Sequence, residues 1–193
     1  ATLWISAVFW VLAFISLRLP LARLDVLKNP WVLLVLGYFT LVPAWVGLVL
    51  LHQTSHTMLF FLIMAVPFAD TGAYFVGKYC GKHKMSPVLS PNKTYEGLAG
   101  SLVVGLIAAM SVVPFMDAPY AHHSAWFFVL GVLVIVASAG GDLFESLVKR
   151  LYEVKDSGNV LPGHGGMLDR VDSLCAAVPL YALFTLLILP YVW

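Results

Sequence analysis

Six long apolar runs separated by short polar segments constrain this chain more than any other feature of its sequence. They cover residues 3–17, 31–51, 58–76, 98–115, 125–147 and 173–192. A helix of about 20 mostly apolar residues crosses a bilayer, and each run meets or approaches that length. Hydrophobic residues make up 61% of the 193 positions and charged residues 11%. A soluble domain carries about 25% charged residues, so a chain this apolar cannot cover its own surface in water. The ten-residue alternation that marks barrel strands is missing from the sequence. The expected fold class is an all-α polytopic integral membrane protein with about six transmembrane helices. The third run contains Pro67 and Asp70, and is expected to kink or break near its end.

Charge placement gives these spans a direction. Arg18, Arg23 and Lys28 lie between the first and second runs, and Lys78, Lys82, Lys84 and Lys93 between the third and fourth. Lys149, Arg150, Lys155 and Arg170 lie at or between the ends of the fifth and sixth. Segments 52–57 and 116–124 contain no Lys or Arg. The positive-inside rule then directs the three basic loops to the cytoplasm and both chain ends outward. The sequence opens on Ala1 inside an apolar run, without the basic leader or cleavage site of a signal peptide. A fragment lacking N-terminal helices is expected, within a single domain 1–193 whose spans 1–57 are peripheral and whose catalytic part is 58–193. Cys80 and Cys175 stand far apart, without metal-ligand spacing, and read as buried apolar thiols.

The polar residues that are expensive near lipid crowd into two basic loops and the helix ends beside them, where ionisable groups point to function. Asp142, Glu145, Ser146 and Lys149 recur at helical spacing and share a face if the fifth span continues. Asp169 and Asp172 can share a face where the sixth begins. The intervening loop can return Asp169 toward Asp142, and two converging carboxylates suit Mg²⁺ better than zinc. Gly163, Gly165 and Gly166 around His164 permit close approach of backbone N–H groups to an anion. Lys149, Arg150, Lys155 and Arg170 offer charge for phosphates. Acids for a metal beside bases for phosphates is what nucleotidyl transfer needs. His164 is kept as a substrate contact without a proton-transfer role.

The other loop offers Asp70, set in an apolar span and expected to meet a cation or ligand. It also offers Ser90, expected to cap a turn, and Lys93 with Thr94, placed to meet a phosphate. Lys78, Lys82 and Lys84 read as positive-inside anchors. Gly97, Gly100, Ser101 and Gly105 form a small-residue face suited to close helix packing.

The run Ser146-x2-Lys149-Arg150-x4-Lys155-Asp156-x-Gly158-x3-Pro162-x-His164-Gly165-Gly166-x2-Asp169-Arg170-x-Asp172 resembles the signature of the phosphatidate cytidylyltransferase (CDP-diacylglycerol synthase) family throughout. Asp70-Thr71-Gly72-Ala73-Tyr74 and Ser90-Pro91-Asn92-Lys93-Thr94-Tyr95-Glu96-Gly97 are similar to further family blocks, with Tyr95 and Asn92 as mild departures. The resemblance covers residues 60 to 193. It implies transfer of CMP from CTP to phosphatidate, giving CDP-diacylglycerol and pyrophosphate, by a homodimer in the bacterial inner membrane, with no nucleic acid partner. It implies Mg²⁺ on Asp142 and Asp169 and leaves a second cation such as K⁺ open. On this reading Asp142, Asp169, Lys149 and Asp172 are catalytic. Asp70, Ser90, Lys93, Thr94, Ser146, Arg150, Lys155, Asp156, His164, Gly165, Gly166 and Arg170 meet substrate. Two other readings stand beside it: a CTP-dependent transferase for another lipid phosphate or isoprenoid acceptor, and an ion-coupled transporter.

Overall fold

The computed structural model describes residues 2–21, 24–116, 123–158 and 166–192. Arg23, Asp117, Pro162, Gly163, His164 and Gly165 lie outside them. The helices are α1 (Thr2–Ser16), α2 (Pro30–Thr54), α3 (His56–Cys80), α4 (Tyr95–Met110), α5 (Ser124–Leu151) and α6 (Asp172–Val192). Among the described residues, four segments are long and apolar enough to cross a membrane: α2, α3, α5, and α4 extended by a 3-10 turn to Phe115. The chain is an integral membrane protein. The first expected span forms a shorter apolar helix over Thr2–Ser16, and the last is α6, 21 residues long. At 1.5 Å per residue, the 15 residues of α1 reach about 22 Å, short of a hydrocarbon core about 30 Å thick.

Local chemistry sets the helix ends. The Asn29 side chain accepts the Trp31 N–H at 2.9 Å with Pro30 in the first turn, which starts α2. A single extended residue, Ser55, separates α2 from α3. Contrary to the expected break, α3 runs unbroken through Pro67, and the Thr71 hydroxyl donates to the Pro67 carbonyl at 2.8 Å. Close packing on α4 on either side of Pro67, where Ala65 and Ala69 face Gly105, accompanies this continuity. Cys175 is buried as expected, but Cys80, the last residue of α3, is exposed.

α6 and α3 supply the centre. Phe61 stacks on Tyr181 with ring centroids 5.6 Å apart, among buried Leu62, Val134 and Val178. Large apolar side chains such as Trp4, Leu12, Leu34 and Trp45 stay exposed on α1 and α2, as a lipid-facing surface requires. Lipid gives helices no hydrophobic reason to associate, so close packing must do it. The small-residue face of α4 serves that purpose against α3. A Cβ added at Gly100 would meet the Val76 Cβ at 2.5 Å.

Between α3 and α4 the chain forms an antiparallel hairpin, β1 (Lys84–Ser86) and β2 (Ser90–Thr94), pairing Lys84 with Thr94 and Ser86 with Ser90. Ser90 therefore begins a strand rather than capping a turn. The cap belongs to Thr94, whose hydroxyl accepts the Gly97 N–H at 3.0 Å and starts α4. The hairpin, the end of α5 and the start of α6 meet at the end of the bundle that carries the basic residues.

At the end of α5, Val154 N–H bonds to Lys149 O and Glu153 N–H to Arg150 O, with Glu153 at φ 56°. This is a Schellman ending whose left-handed position ordinarily belongs to glycine. Holding a side chain there costs about 1–2 kcal/mol, part of which glycine's greater unfolded freedom offsets. Glu153→Gly is expected to stabilise the protein by about 0.5–1 kcal/mol, read as a rise in Tm of a few degrees in detergent.

Candidate active site

The helical spacing of Asp142, Glu145, Ser146 and Lys149 on α5 places them on one face, as expected. Ser146 Oγ lies 3.5 Å from Asp142 Oδ1, and Lys149 Nζ lies 2.7 Å from Glu145 Oε2. α6 begins beside this face. Asp142, Glu145 and Asp172 each offer a carboxylate oxygen, all within 4.8 Å of one another. Glu145 is 8% exposed and its Oε1 has no hydrogen-bond partner. Two unit charges at such a separation repel by about 3–4 kcal/mol at an effective dielectric constant near 20. An all-oxygen donor set with an unsatisfied oxygen suits a hard divalent cation.

Asp169 is held by one ammonium and two backbone donors. One oxygen lies 2.7 Å from Lys149 Nζ, the other accepts the Gly166 N–H at 2.7 Å, and both take the Ser157 N–H. Lys149 therefore bridges Glu145 on α5 to Asp169 in the 3-10 turn before α6. Burial alone would raise the Asp169 pKa. The Lys149 ammonium and the two backbone donors outweigh it and hold the group well below the ordinary carboxylate range. Among the described residues, Asp142, Glu145 and Asp172 bring carboxylate oxygens close enough to share one ion, and Asp169 stands beside them on Lys149.

Lys93 enters from the hairpin and places Nζ 2.6 Å from Asp142 Oδ2 and 3.4 Å from the Ala139 carbonyl. A cavity of about 320 Å³ opens beside this pair, lined by Asp70, Ser90, Asn92, Lys93, Thr94 and Asp142 among others. The structure therefore brings the separate Asp70, Ser90 and Asp142 blocks of the sequence to one wall. Lys155 and Asp156 are exposed beyond α5, and Arg170 is exposed in the 3-10 turn.

The hairpin that carries Lys93 is pinned at both ends. At its tip, Leu89 is buried with Leu24, Leu147 and Leu151, and Arg150 Nε donates to the Leu89 carbonyl at 3.2 Å. At its base, Glu96 accepts the N–H groups of Lys82 and His83, each at 3.1 Å, and pairs with His83 Nδ1 at 2.6 Å. Arg150 thus holds backbone rather than lining the cavity. Sequence reasoning left Glu145, Glu96 and Leu89 out of the site. For Glu145 a signal existed, an acid three residues from Asp142 in an apolar run; for the other two, nothing local distinguished them.

Arg150→Ala and Leu89→Ala are both expected to speed amide hydrogen exchange over residues 84–94 by tenfold or more. A lost charge-assisted hydrogen bond costs about 1.5–3 kcal/mol and a buried Leu→Ala about 2–5 kcal/mol. The depressed Asp169 pKa carries a sign. Its contribution to stability is complete above the unfolded value near 3.9 and fades as pH falls through the lower folded value. Trypsin cleavage after Lys155, measured by mass spectrometry relative to an unstructured peptide cleaved at the same pH, should therefore be equally slow at pH 5 and pH 7 and several-fold faster at both in Asp169→Asn.

With this geometry in view, comparison with known proteins is direct. The Cytidylyltransferase family matches residues 1–188. A phosphatidate cytidylyltransferase of Bacillus subtilis (strain 168) is 38% identical over 186 residues, covering 91% of this chain and 68% of that protein. One of Pseudomonas aeruginosa is 40% identical over 185 residues, covering 94% and 68%. One of Haemophilus influenzae is 38% identical over 172 residues, covering 84% and 60%. The chain thus spans roughly three-fifths to two-thirds of the length of these relatives. The carboxylates of α5 and α6, the lysines that meet them and the match over nearly all of the sequence make this chain a member of the cytidylyltransferase family.

Proposed function

We infer that the protein transfers CMP from CTP to phosphatidate, releasing pyrophosphate and giving CDP-diacylglycerol. The observation that carries the reading is the meeting of Lys93, Lys149 and the Asp142–Glu145–Asp172 carboxylates at one end of a membrane bundle. Named relatives with the same activity support it. Mg²⁺ fits Asp142, Glu145 and Asp172, whose donors are all oxygen and include the unpartnered Glu145 Oε1, with Asp169, the second ligand that the resemblance implies, held beside them by Lys149. When bound there it supplies charge for the phosphates of both substrates. A second cation such as K⁺ would fall to the same acidic end.

The remaining work belongs to side chains of the chain. Lys93 faces the cavity that has Ser90, Asn92 and Thr94 on its wall, an ammonium and polar side chains able to meet a triphosphate. Lys149, fixed by Glu145 and Asp169, presents a positioned ammonium at the carboxylate group. An oxygen of the phosphatidate phosphate attacks the α-phosphorus of CTP as the bond to pyrophosphate breaks. A phosphate monoester is already an anion near neutral pH, so no general base is required. His164 and Gly165 remain substrate contacts on this reading, with Ser146, Lys155, Asp156 and Arg170. The basic end faces the cytoplasm by the positive-inside rule, where CTP is available and the lipid phosphate sits at the same interface. Relatives from bacteria support placement in the inner membrane, and the resemblance to the synthase family supports a homodimer.

The test is incubation of the full-length protein in detergent with labelled CTP, phosphatidate and Mg²⁺. Lipid-borne label that needs all three components is expected. Asp142→Asn should cut turnover by roughly 10²–10³-fold, as loss of one preorganised electrostatic group does, while membrane insertion is unchanged. Label transfer to isoprenoid phosphates but not to phosphatidate would replace the acceptor, and near-normal turnover in Asp142→Asn would remove the metal assignment.

A further inference from the structure

The end of α5 anchors two segments that lie far apart in the sequence. One is the hairpin, whose tip contributes the buried Leu89 and the carbonyl that Arg150 Nε meets at 3.2 Å. The other is the segment between α1 and α2, which presents Leu24 to the same cluster, beside Leu147 and Leu151 one turn apart on α5. Tyr152 donates its hydroxyl to the Leu27 carbonyl at 3.3 Å. Leu27 lies in the 3-10 turn Asp25–Lys28, and its N–H reaches back to the Leu24 carbonyl at 2.9 Å. Leu24 is 6% exposed, whereas Val26 in that turn is 65% exposed. The segment therefore turns one side to the cluster and the other outward.

The hairpin needs this support. Its strands are three and five residues long, and their register shifts between Lys84 and Ser86. A two-stranded hairpin is marginal by itself in water, and a slip of one residue reverses the face each side chain occupies. Strand β2 meets α5 at two points: Lys93 Nζ lies 2.6 Å from Asp142, and the adjoining Leu89 meets Arg150 and the leucine cluster. The four steps from Leu89 to Lys93 span about 13 Å of extended chain. The eight from Asp142 to Arg150 rise about 12 Å along a helix. The two lengths agree, so the strand lies along α5 with one anchor at each end. Among the described residues, Leu24 is the one buried leucine of the tip anchor that comes from neither α5 nor the hairpin.

We propose that Leu24 is a positioning residue for anion capture: it closes the seat of Leu89 and so holds β2 and Lys93 in register against Asp142. None of the described residues between α1 and α2 lines the cavity, yet that segment governs the wall that does. With the hairpin base still held by Glu96, loss of the tip anchor shifts the strand rather than unfolding this end of the bundle. That the anion is the triphosphate of CTP rests on the proposed transferase reading, whereas the coupling from Leu24 to Lys93 rests on the packing.

The experiment uses full-length protein in detergent. Inorganic tripolyphosphate, titrated calorimetrically at fixed Mg²⁺, probes anion capture without nucleotide or lipid, and KM is measured for CTP and for phosphatidate. Leu24→Ala is expected to weaken tripolyphosphate binding and raise the KM for CTP, each roughly tenfold, a part of what a buried Leu→Ala change costs. The KM for phosphatidate and kcat at saturating CTP should hold within about twofold, while amide exchange over residues 84–94 quickens. Leu24→Met keeps the volume and should restore wild-type values. Tyr152→Phe removes only a hydroxyl, should shift the same two quantities about threefold, and decides the matter if Leu24→Ala does not fold. Val26→Ala, on the outward side of the segment, should change nothing. Wild-type tripolyphosphate affinity in folded Leu24→Ala, or in Tyr152→Phe where the former does not fold, overturns the proposal. Equal rises in the two KM values, weaker binding without faster exchange in the hairpin, and a wild-type protein that binds no tripolyphosphate overturn it as well. A wild-type protein that binds tripolyphosphate yet moves no CMP to phosphatidate would refute the transferase reading, and the titrations would still decide the role of Leu24.

Discussion

An ammonium shared by two carboxylates organises the polar end of this bundle. Glu145 sits in an apolar helix, where an isolated charge is expensive, and Lys149 one turn later meets it. The same Nζ reaches across to Asp169, so a pairing within α5 also ties α5 to the turn that starts α6. Removing Lys149 would leave two carboxylates at that junction without their common partner, a far larger loss than an exposed ion pair represents. The approach of Asp172 to Asp142 and Glu145 follows, because the start of α6 is fixed by the turn that Asp169 holds.

Packing near the other cavity wall follows a second logic. Glycines bring α3 and α4 together, as lipid-exposed helices need, and that closeness fixes both ends of the hairpin between them. Thr94 ends the hairpin and caps α4 with one hydroxyl. Arg150 and Leu89 then fasten the tip to α5. The signature arginine thus supports the wall, whereas Lys93 on that wall makes the contact with Asp142.

Much of this was legible in the sequence, for physical reasons. Apolar run lengths and the segregation of Lys and Arg gave the helical membrane class and the common end of the basic loops. Spacing of three and four residues gave the shared face of Asp142, Glu145, Ser146 and Lys149. The small-residue series on α4 gave its contact with α3. Contacts across long sequence separations were not readable. Nothing local says that Asp172 lies with Asp142 and Glu145, since the loop geometry between them decides it. The hairpin was hidden because Ser-Pro-Asn-Lys-Thr carries little strand propensity, and its pairing is stabilised by Leu89 and Glu96 from outside the ladder. The break expected at Pro67 did not occur, and α3 continues through it beside the close contact with α4.

The double fastening of the hairpin has a consequence for molecular recognition. A lysine on a free loop must lose its conformational freedom each time it captures an anion, at a cost of about 0.5–1.5 kcal/mol for a rotamer-rich side chain. Here the strand beneath Lys93 is fixed during folding, and its ammonium already rests against Asp142. The arriving anion exchanges one partner for another rather than ordering a segment of chain. Capture at this wall is accordingly a competition between carboxylate and phosphate for a cation already in place, and its strength depends on how far the neighbouring acids are neutralised.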